Sequence, residues 1–163
     1  MKYQNNLGHE KHMVTFHSIG VVRNDVSKMS AGNWAKVQSR IEIDNDLVAG
    51  LQGLADFSHL VVVFHLDQIP AFDKEKQLLR NPRGMEHLTP VGMFAQRTKF
   101  RPNPIGVTPV RLVSIVGNTL IVTGLDAMDG TPVLDVKPYI PEFDRADDVK
   151  MPAWVATMVP GYF

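Results

Sequence analysis

The chain has 163 residues and carries 17 basic and 17 acidic side chains, so its formal net charge is zero. This length suits one domain with its own hydrophobic core. The sequence holds no cysteine, which excludes disulfides and thiolate metal sites. No apolar run approaches the roughly 20 residues that a membrane helix needs, and the polar N-terminus lacks the apolar segment of a signal peptide. We therefore expect a cytoplasmic protein with no membrane partner.

Residues 1–13 are expected to form a flexible N-terminal tail, and residues 14–163 a single domain. Within that domain, alternation of apolar and polar residues is typical of half-buried strands. Alternation predicts a strand at 37–43 and a β-branched apolar run predicts one at 60–66. Further strands are predicted at 14–22 (interrupted at Gly20), 91–95, 107–116, 119–123 and 133–137. Residues 117–118, Gly-Asn, form a tight hairpin signal between two of them.

Helical signals are few and short. Apolar spacing predicts a helix over residues 46–54, about one turn near 74–79 and a last helix over 152–158. Residues 70–89 are polar and are predicted to leave the fold as a long excursion. Many short strands with little helix predict a mainly β fold, a single β-barrel with short peripheral helices.

Residues 97–106, with the sequence R-T-K-F-R-P-N-P-I-G, form the first segment rich in functional residue types. Two prolines restrict its backbone, so the loop would hold Arg97, Arg101 and Asn103 in place with little ordering cost. An arginine in such a loop can bind a carboxylate or a phosphate through two hydrogen bonds. The alternative is a structural loop in which both arginines pair with nearby carboxylates.

Residues 124–139, with the sequence G-L-D-A-M-D-G-T-P-V-L-D-V-K-P-Y, form the second such segment. Its three aspartates do not have the spacing of a calcium loop, so we predict no metal site. Asp135 and Lys137 alternate along a predicted strand, share one face and are candidates to pair with each other. Elsewhere, Trp34 is either a stacking residue for a base or ring, or an anchor of the core.

These two segments carry a resemblance to the TsaA-like, tRNA-methyltransferase O family. The similarity runs from about Phe16 onward and includes residues 19–22 (I-G-V-V), 57–60 (F-S-H-L) and 92–95 (G-M-F-A). The resemblance implies a β-barrel of the YaeB/TsaA type that binds S-adenosylmethionine and forms a homodimer, with the cofactor near the subunit interface. In the best-known members, the methyl group goes to N6 of threonylcarbamoyladenosine beside the tRNA anticodon.

The resemblance also implies site residues. Cofactor contacts fall on Gln68, Arg97, the backbone of Val107 and the turn Asp129-Gly130-Thr131-Pro132, and our candidate set adds Trp34, Arg101 and Asn103. The chain departs from the family because it has no Pro-Arg-Gln run between Val22 and Ile41 and has Asp67 where the family often has histidine. It resembles a short branch, without the additional C-terminal domain of longer members.

A urea-like N6–H is a poor nucleophile until it is deprotonated, so a carboxylate base would help methyl transfer. Asp126 and Asp129 are the candidates, and Asp129 is equally suited to accept a cofactor hydroxyl. A neutral chain needs a local basic patch to bind RNA. The cluster Arg80, Arg83, Arg97, Lys99 and Arg101 provides one, and we expect Arg83, Arg97, Lys99 and Arg101 to contact tRNA phosphates.

Two other function classes are open. One is a binding module or dimeric scaffold that binds S-adenosylmethionine without turnover, which the neutral charge and the missing Pro-Arg-Gln run favour. The other is an RNA-binding barrel without a cofactor. That class would need aromatic side chains among the basic ones, and in the sequence only Phe100 has this position.

Overall fold

The computed structural model describes residues 13–28 and 33–158. Its strands are β1 (Gly20–Arg23), β2 (Gln38–Ile43), β3 (His59–His65), β4 (Leu79–Arg80), β5 (Val91–Gly92), β6 (Ile105–Val116), β7 (Thr119–Thr123) and β8 (Pro132–Pro138). Its α-helices are α1 (Lys74–Gln77), α2 (Pro141–Asp144) and α3 (Ala153–Met158). Single turns of 3₁₀ helix cover Trp34–Lys36, Leu54–Asp56, Pro82–Gly84 and Met93–Ala95, and a longer one covers Asn45–Leu51.

Six of these strands close into a barrel in the order β1-β2-β7-β6-β3-β8. Every neighbouring pair is antiparallel, while β4 and β5 form a separate two-stranded sheet. The predicted mainly β barrel with short peripheral helices is therefore confirmed. β3 lies between β6 and β8, and its outward-facing residues Val61 and Val63 are half-buried, in agreement with its continuous run of apolar residues.

The core fills the inside of the barrel because alternate residues of each strand point inward. On β3 these are Leu60, Val62 and Phe64, and all three are buried. They join buried residues of the other barrel strands in a single cluster. Gly106 allows β6 to approach this cluster closely, since a Cβ at that position would lie 2.3 Å from the Phe64 ring.

The strand predicted over residues 14–22 is wrong in its first half. Residues 13–18 have no regular structure and are exposed, and β1 begins at Gly20 rather than breaking there. The prediction included Val14 and Phe16 in the strand, although both side chains are exposed. The strand predicted over 91–95 ends at Gly92, where the chain turns into 3₁₀ helix.

The remaining elements follow the predictions more closely. The helix predicted over 46–54 forms as two 3₁₀ segments separated by Gly53, whose φ is +81°. The predicted turn near 74–79 is α1, followed directly by β4. The final helix begins at Ala153, and α2 was not predicted. Apart from Met13, the predicted tail lies outside the described residues.

The alternating strand directions give the barrel two distinct ends. At the loop end, β1, β3 and β7 finish while β2, β6 and β8 begin. The connections at the loop end join β1 to β2, β3 to β6 and β7 to β8. The far end holds the β6–β7 hairpin, the segment between β2 and β3, and the chain after β8. Both segments singled out in the sequence reach the loop end.

Candidate functional site

The turn between β7 and β8 is held at the loop end by contacts from two other connections. Gln68, just beyond β3, donates its side-chain amide to the Asp129 carbonyl at 3.0 Å. The Asp129 and Gly130 backbone N–H groups donate to the carbonyls of Val26 and Val22, both at 2.9 Å. The structure thus brings together the predicted residues Gln68, Asp129 and Gly130.

Gly130 is suited to this turn because its φ is +82°, a conformation that residues with a side chain rarely adopt. A Cβ at this position would meet only the Gln68 amide nitrogen, at 3.9 Å. The Gln68 amide therefore lies on the side of the turn where any other residue at position 130 would carry its side chain. The neighbouring Thr131 is buried and Pro132 half-buried, so these two residues contribute mainly backbone and packing.

Asn24 is a residue of this site that the sequence analysis missed. Its side-chain amide donates to the Ala127 carbonyl and to the Ser39 hydroxyl, both at 2.9 Å. Its backbone N–H donates to the Asp129 carboxylate at 3.1 Å. Asn24 therefore fixes the turn through both its side chain and its backbone. The available signal was an Asn-Asp pair directly after a strand, a common turn sequence that does not identify its partners.

Asp126 lies at the beginning of the same turn and is half-buried. The hydroxyl of Thr108, a buried residue of β6, donates to its carboxylate. This contact links the second sequence segment to the strand that follows the first one. The two predicted base candidates thus differ, since Asp126 is held by an inward-facing hydroxyl whereas Asp129 is exposed.

Arg97 contacts another predicted residue, because its guanidinium donates to the Val107 carbonyl at 2.5 Å. Arg101 donates to the carbonyls of Gln96 at 2.9 Å and Met93 at 3.3 Å. The partners of both arginines are thus backbone carbonyls and not the carboxylates of the structural alternative. Asn103 is exposed, and its carbonyl accepts the Ile105 N–H at 2.8 Å, which holds the entry into β6.

Trp34 differs from the other candidates because it is only 3% exposed. It begins the 3₁₀ helix before β2, at the loop end. This burial favours the core-anchor alternative over stacking on a ligand, and its role in cofactor binding stays a prediction.

Two cavities in the described part of the chain lie away from these residues. One, of about 290 Å³, is at the far end and is lined by apolar residues including Leu47, Leu51 and Val136. The other, of about 340 Å³, is bordered by Pro141, Glu142, Arg145 and Asp147. The exposed candidates at the loop end instead lie on an open surface.

Comparison with known proteins identifies the family. Residues 23–145 match the model of the tRNA-methyltransferase O N-terminal domain. This chain belongs to that family. The match includes both sequence segments described above, the connection that carries Gln68, and five of the six barrel strands in full, and it begins at the last residue of β1.

Several relatives are about one third identical to this chain over the residues that align. A probable S-adenosyl-L-methionine-binding protein of Pyrococcus abyssi is 34% identical over 85% of this chain and 75% of its own length. One from Methanothermobacter thermautotrophicus is 35% identical over 80% and 93%. The tRNA (adenine(37)-N6)-methyltransferase of Homo sapiens is 36% identical over 72% of this chain and 26% of its own length.

Solved structures of family members share the fold. The crystal structure of TrmO from Pseudomonas aeruginosa superimposes with a TM-score of 0.67 and 29% identity, covering 85% of this chain and 62% of that one. A second TrmO crystal structure gives a TM-score of 0.69 and 30% identity. The chain thus spans less than two thirds of these solved family members.

Within residues 13–28 and 33–158, no group of three or more histidine, aspartate or glutamate side chains is placed to hold a metal ion. None of the helices in those ranges is long and apolar enough to cross a membrane.

The predicted pair on β8 is confirmed, since Lys137 lies 2.6 Å from the Asp135 carboxylate, and this hydrogen bond raises the pKa of Lys137.

Proposed function

We propose that this protein is an S-adenosylmethionine-dependent methyltransferase that modifies N6 of threonylcarbamoyladenosine in tRNA. The observation that carries the proposal is the pair of contacts at the loop end, Gln68 with Asp129 and Arg97 with Val107, in a member of the tRNA-methyltransferase O family. The names of the relatives support it, since two are S-adenosylmethionine-binding proteins and one is an adenine-N6 tRNA methyltransferase.

The chemistry of the loop-end residues fits this cofactor. The Arg97 guanidinium suits the amino-acid carboxylate, and the exposed Asp129 carboxylate suits ribose hydroxyls. The exposed Gln68 side chain, which lies beside the turn, offers contacts to polar atoms of the base. When bound, the cofactor supplies a methyl group on positively charged sulfur, so the protein itself must position the acceptor and remove its proton.

Asp126 is the better placed of the two base candidates. Its carboxylate is half-buried and fixed by the Thr108 hydroxyl, so a proton taken from N6 would go to a carboxylate of defined orientation. Asp129 then takes the other predicted role, as the acceptor for a cofactor hydroxyl. In this assignment the two aspartates serve different partners within one turn.

Charge segregation supports tRNA as the substrate. Residues 78–106 contain five basic and one acidic side chains, and because the whole chain is neutral, the remainder carries a net charge of minus four. Contacts to tRNA phosphates are assigned to Arg83, Lys99 and Arg101, and to Arg97 as the alternative to its contact with the cofactor carboxylate. A cytoplasmic location is part of the same proposal.

A homodimer is also part of the proposal. The exposed candidates form an open surface on one chain, whereas cofactor sites normally bury most of their ligand. A second subunit placed over the loop end would enclose the cofactor. Size measurements in solution, with and without S-adenosylmethionine, test this point separately from catalysis.

A binding module without turnover is the second candidate, favoured by the absence of the Pro-Arg-Gln run. Calorimetric titration with S-adenosylmethionine and S-adenosylhomocysteine, followed by methyl transfer to tRNA with and without threonylcarbamoyladenosine, separates the candidates. Binding with transfer to the modified tRNA supports the enzyme. Binding without transfer to any tRNA supports the module, and no binding removes both.

Arg97→Ala tests the assignment of the cofactor carboxylate. We expect an increase in the dissociation constant of about 10- to 100-fold, the usual effect of losing a hydrogen bond between charged groups. Arg111→Ala is the matched control, because Arg111 is exposed on β6 but pairs with the first residue of β3, towards the far end. An unchanged affinity for Arg97→Ala would refute the assignment.

A further inference from the structure

One exposed aromatic side chain lies in the basic part of the molecule without a role in the proposed cofactor site. Phe94 is 79% exposed and occupies the middle of the 3₁₀ turn Met93–Ala95. The neighbouring Met93 is buried and anchors the turn. Phe94 is thus presented to solvent by a backbone that is itself held in place.

Hydrogen bonds fix this turn on both sides. The Gln96 side-chain amide donates to the carbonyls of Arg80 at 3.0 Å and Val91 at 3.2 Å, which ties the turn to β4 and β5. Arg101 donates to the carbonyls of Met93 and Gln96. The backbone around Phe94 therefore needs little ordering when a ligand arrives, which favours binding.

Arg101 also lies against the Phe94 ring, with its guanidinium carbon 5.6 Å from the ring centroid. This is the distance of a cation–π contact. Since one face is next to Arg101 and most of the side chain is exposed, the other face is open to a flat partner. An aromatic ring backed by an arginine is a typical stacking surface for an unpaired base.

Phe100, the aromatic that the sequence suggested for stacking, is not available in this way. The Arg80 guanidinium lies 4.7 Å from its ring centroid and the Lys99 ammonium 5.2 Å, and the side chain is half-buried. Phe100 instead holds these two cations in position beside the turn that carries Phe94. The two phenylalanines therefore have different roles, although only five residues lie between them in the sequence.

We propose that Phe94 and Arg101 form a platform on which one unpaired base of the RNA substrate stacks. The surrounding charge favours RNA as the occupant, because residues 78–106 hold five basic side chains and one acidic. Phe143 in α2 is equally exposed, at 82%, but lies between Glu142 and Asp144. The proposal rests on the proposed function for its substrate, although stacking itself needs neither cofactor nor methyl transfer.

The test uses an RNA hairpin with the fluorescent base 2-aminopurine at each loop position in turn. Stacking on an aromatic ring quenches this base. We expect the wild-type chain to quench one loop position strongly and to bind a fully paired RNA of the same length more weakly. Phe94→Leu should abolish the quenching and weaken hairpin binding by about 5- to 150-fold, while Phe94→Trp should retain both.

Phe143→Leu is the matched control and should leave hairpin binding unchanged. Equal hairpin binding by wild type and Phe94→Leu would overturn the platform, as would a Phe94→Leu variant that instead loses self-association in sedimentation. Quenching without methyl transfer would refute the proposed function and keep the platform. If Phe94→Leu keeps both methyl transfer and hairpin affinity, the platform is refuted and the proposed function is kept. If the wild-type chain binds no RNA, both are refuted.

Discussion

The two ends of the barrel differ in how their connections are built. At the far end, β6 and β7 are joined by the two residues Gly117-Asn118, and 3₁₀ segments with apolar side chains border a cleft. At the loop end, the connection from β3 to β6 runs over residues 66–104 and contains its own small sheet. The far end thus has a short hairpin turn and apolar side chains, whereas the loop end presents polar side chains.

The difference also appears in what the side chains bind. At the loop end Gln68, Arg97 and Arg101 donate to backbone carbonyls of neighbouring loops. These bonds fix irregular backbone that has no strand partners. Rigidity therefore has two sources here: apolar packing within the barrel, and side-chain to backbone hydrogen bonds. These bonds join separate loops at the loop end, and at the far end Asn118 makes one to the Ile43 carbonyl. Changes at the two ends should therefore affect different measurements.

Gly20→Ala should give the largest effect, and on stability alone. A Cβ at Gly20 would lie 2.3 Å from the Glu42 carbonyl oxygen and 3.0 Å from the Ile43 Cα, both backbone atoms of β2. Relief requires β1 and β2 to separate, so we expect a loss of about 3 kcal/mol in the free energy of unfolding, measured with urea.

Gly50→Ala is the control, since a Cβ there meets nothing within 4 Å. Its unfolding free energy should stay within about 0.5 kcal/mol of wild type. The affinity of folded Gly20→Ala for S-adenosylmethionine should equal that of wild type. A clear loss of affinity would show that the two ends are coupled, and would contradict the expectation that changes at the two ends affect different measurements.

The barrel was predictable from the sequence to a greater extent than the site. Alternation identified β2 because inward and outward positions of a barrel strand differ in polarity, and a β-branched apolar run identified β3. The strand prediction failed at residues 14–18, whose side chains are exposed. It also extended the strand predicted over 91–95 into Met93–Ala95, which forms a 3₁₀ turn.

Residues of the site were recognisable where the family resemblance or a rigid loop marked them. The contacts of Gln68 with Asp129 and of Asn24 with Ala127 join residues 61 and 103 positions apart. No local pattern encodes such partners, because they depend on which strand ends meet. Gln68 was predicted from the family resemblance, whereas neither the resemblance nor a local pattern identified Asn24 as a site residue.

Asn24→Asp should give an intermediate effect and lower both stability and affinity. The substitution replaces the amide that donates to the Ala127 carbonyl by a carboxylate oxygen. We expect a loss of about 1–2 kcal/mol in unfolding free energy, and weaker S-adenosylmethionine binding because the turn at Asp129 loosens. Urea denaturation and calorimetry measure the two effects.

Asn118→Asp is the matched control at the far end, where the Asn118 amide donates to the Ile43 carbonyl at 2.7 Å. It should cost a similar amount of stability and leave the affinity unchanged. If both variants lost affinity equally, Asn24 would act only through general stability. The difference in affinity between the two asparagine variants therefore tests most directly whether the loop end alone determines cofactor binding.

Exposed ion pairs should give the smallest effect, at both ends alike. Lys76 lies 2.9 Å from Asp73 in the β3–β6 connection, and its hydrogen bond lowers the pKa of Asp73 from 3.8. That pair contributes stability above pH 3.8, lost as the pH falls through the lowered pKa. The Asp135 carboxylate raises the pKa of Lys137 from 10.5, so the second contribution is present below pH 10.5 and lost as the pH rises through the raised pKa.

Both pairs are exposed and screened by salt. Melting temperatures of Lys76→Gln and Lys137→Gln at neutral pH should therefore match wild type within measurement error, in low and in high salt. Any small difference from wild type should disappear near the acid limit for Lys76→Gln, because Asp73 is protonated there, and near the alkaline limit for Lys137→Gln, because Lys137 loses its charge there. A salt-sensitive loss at neutral pH in one variant alone would show that the ends also differ in surface electrostatics, because both pairs have the same charges and comparable exposure.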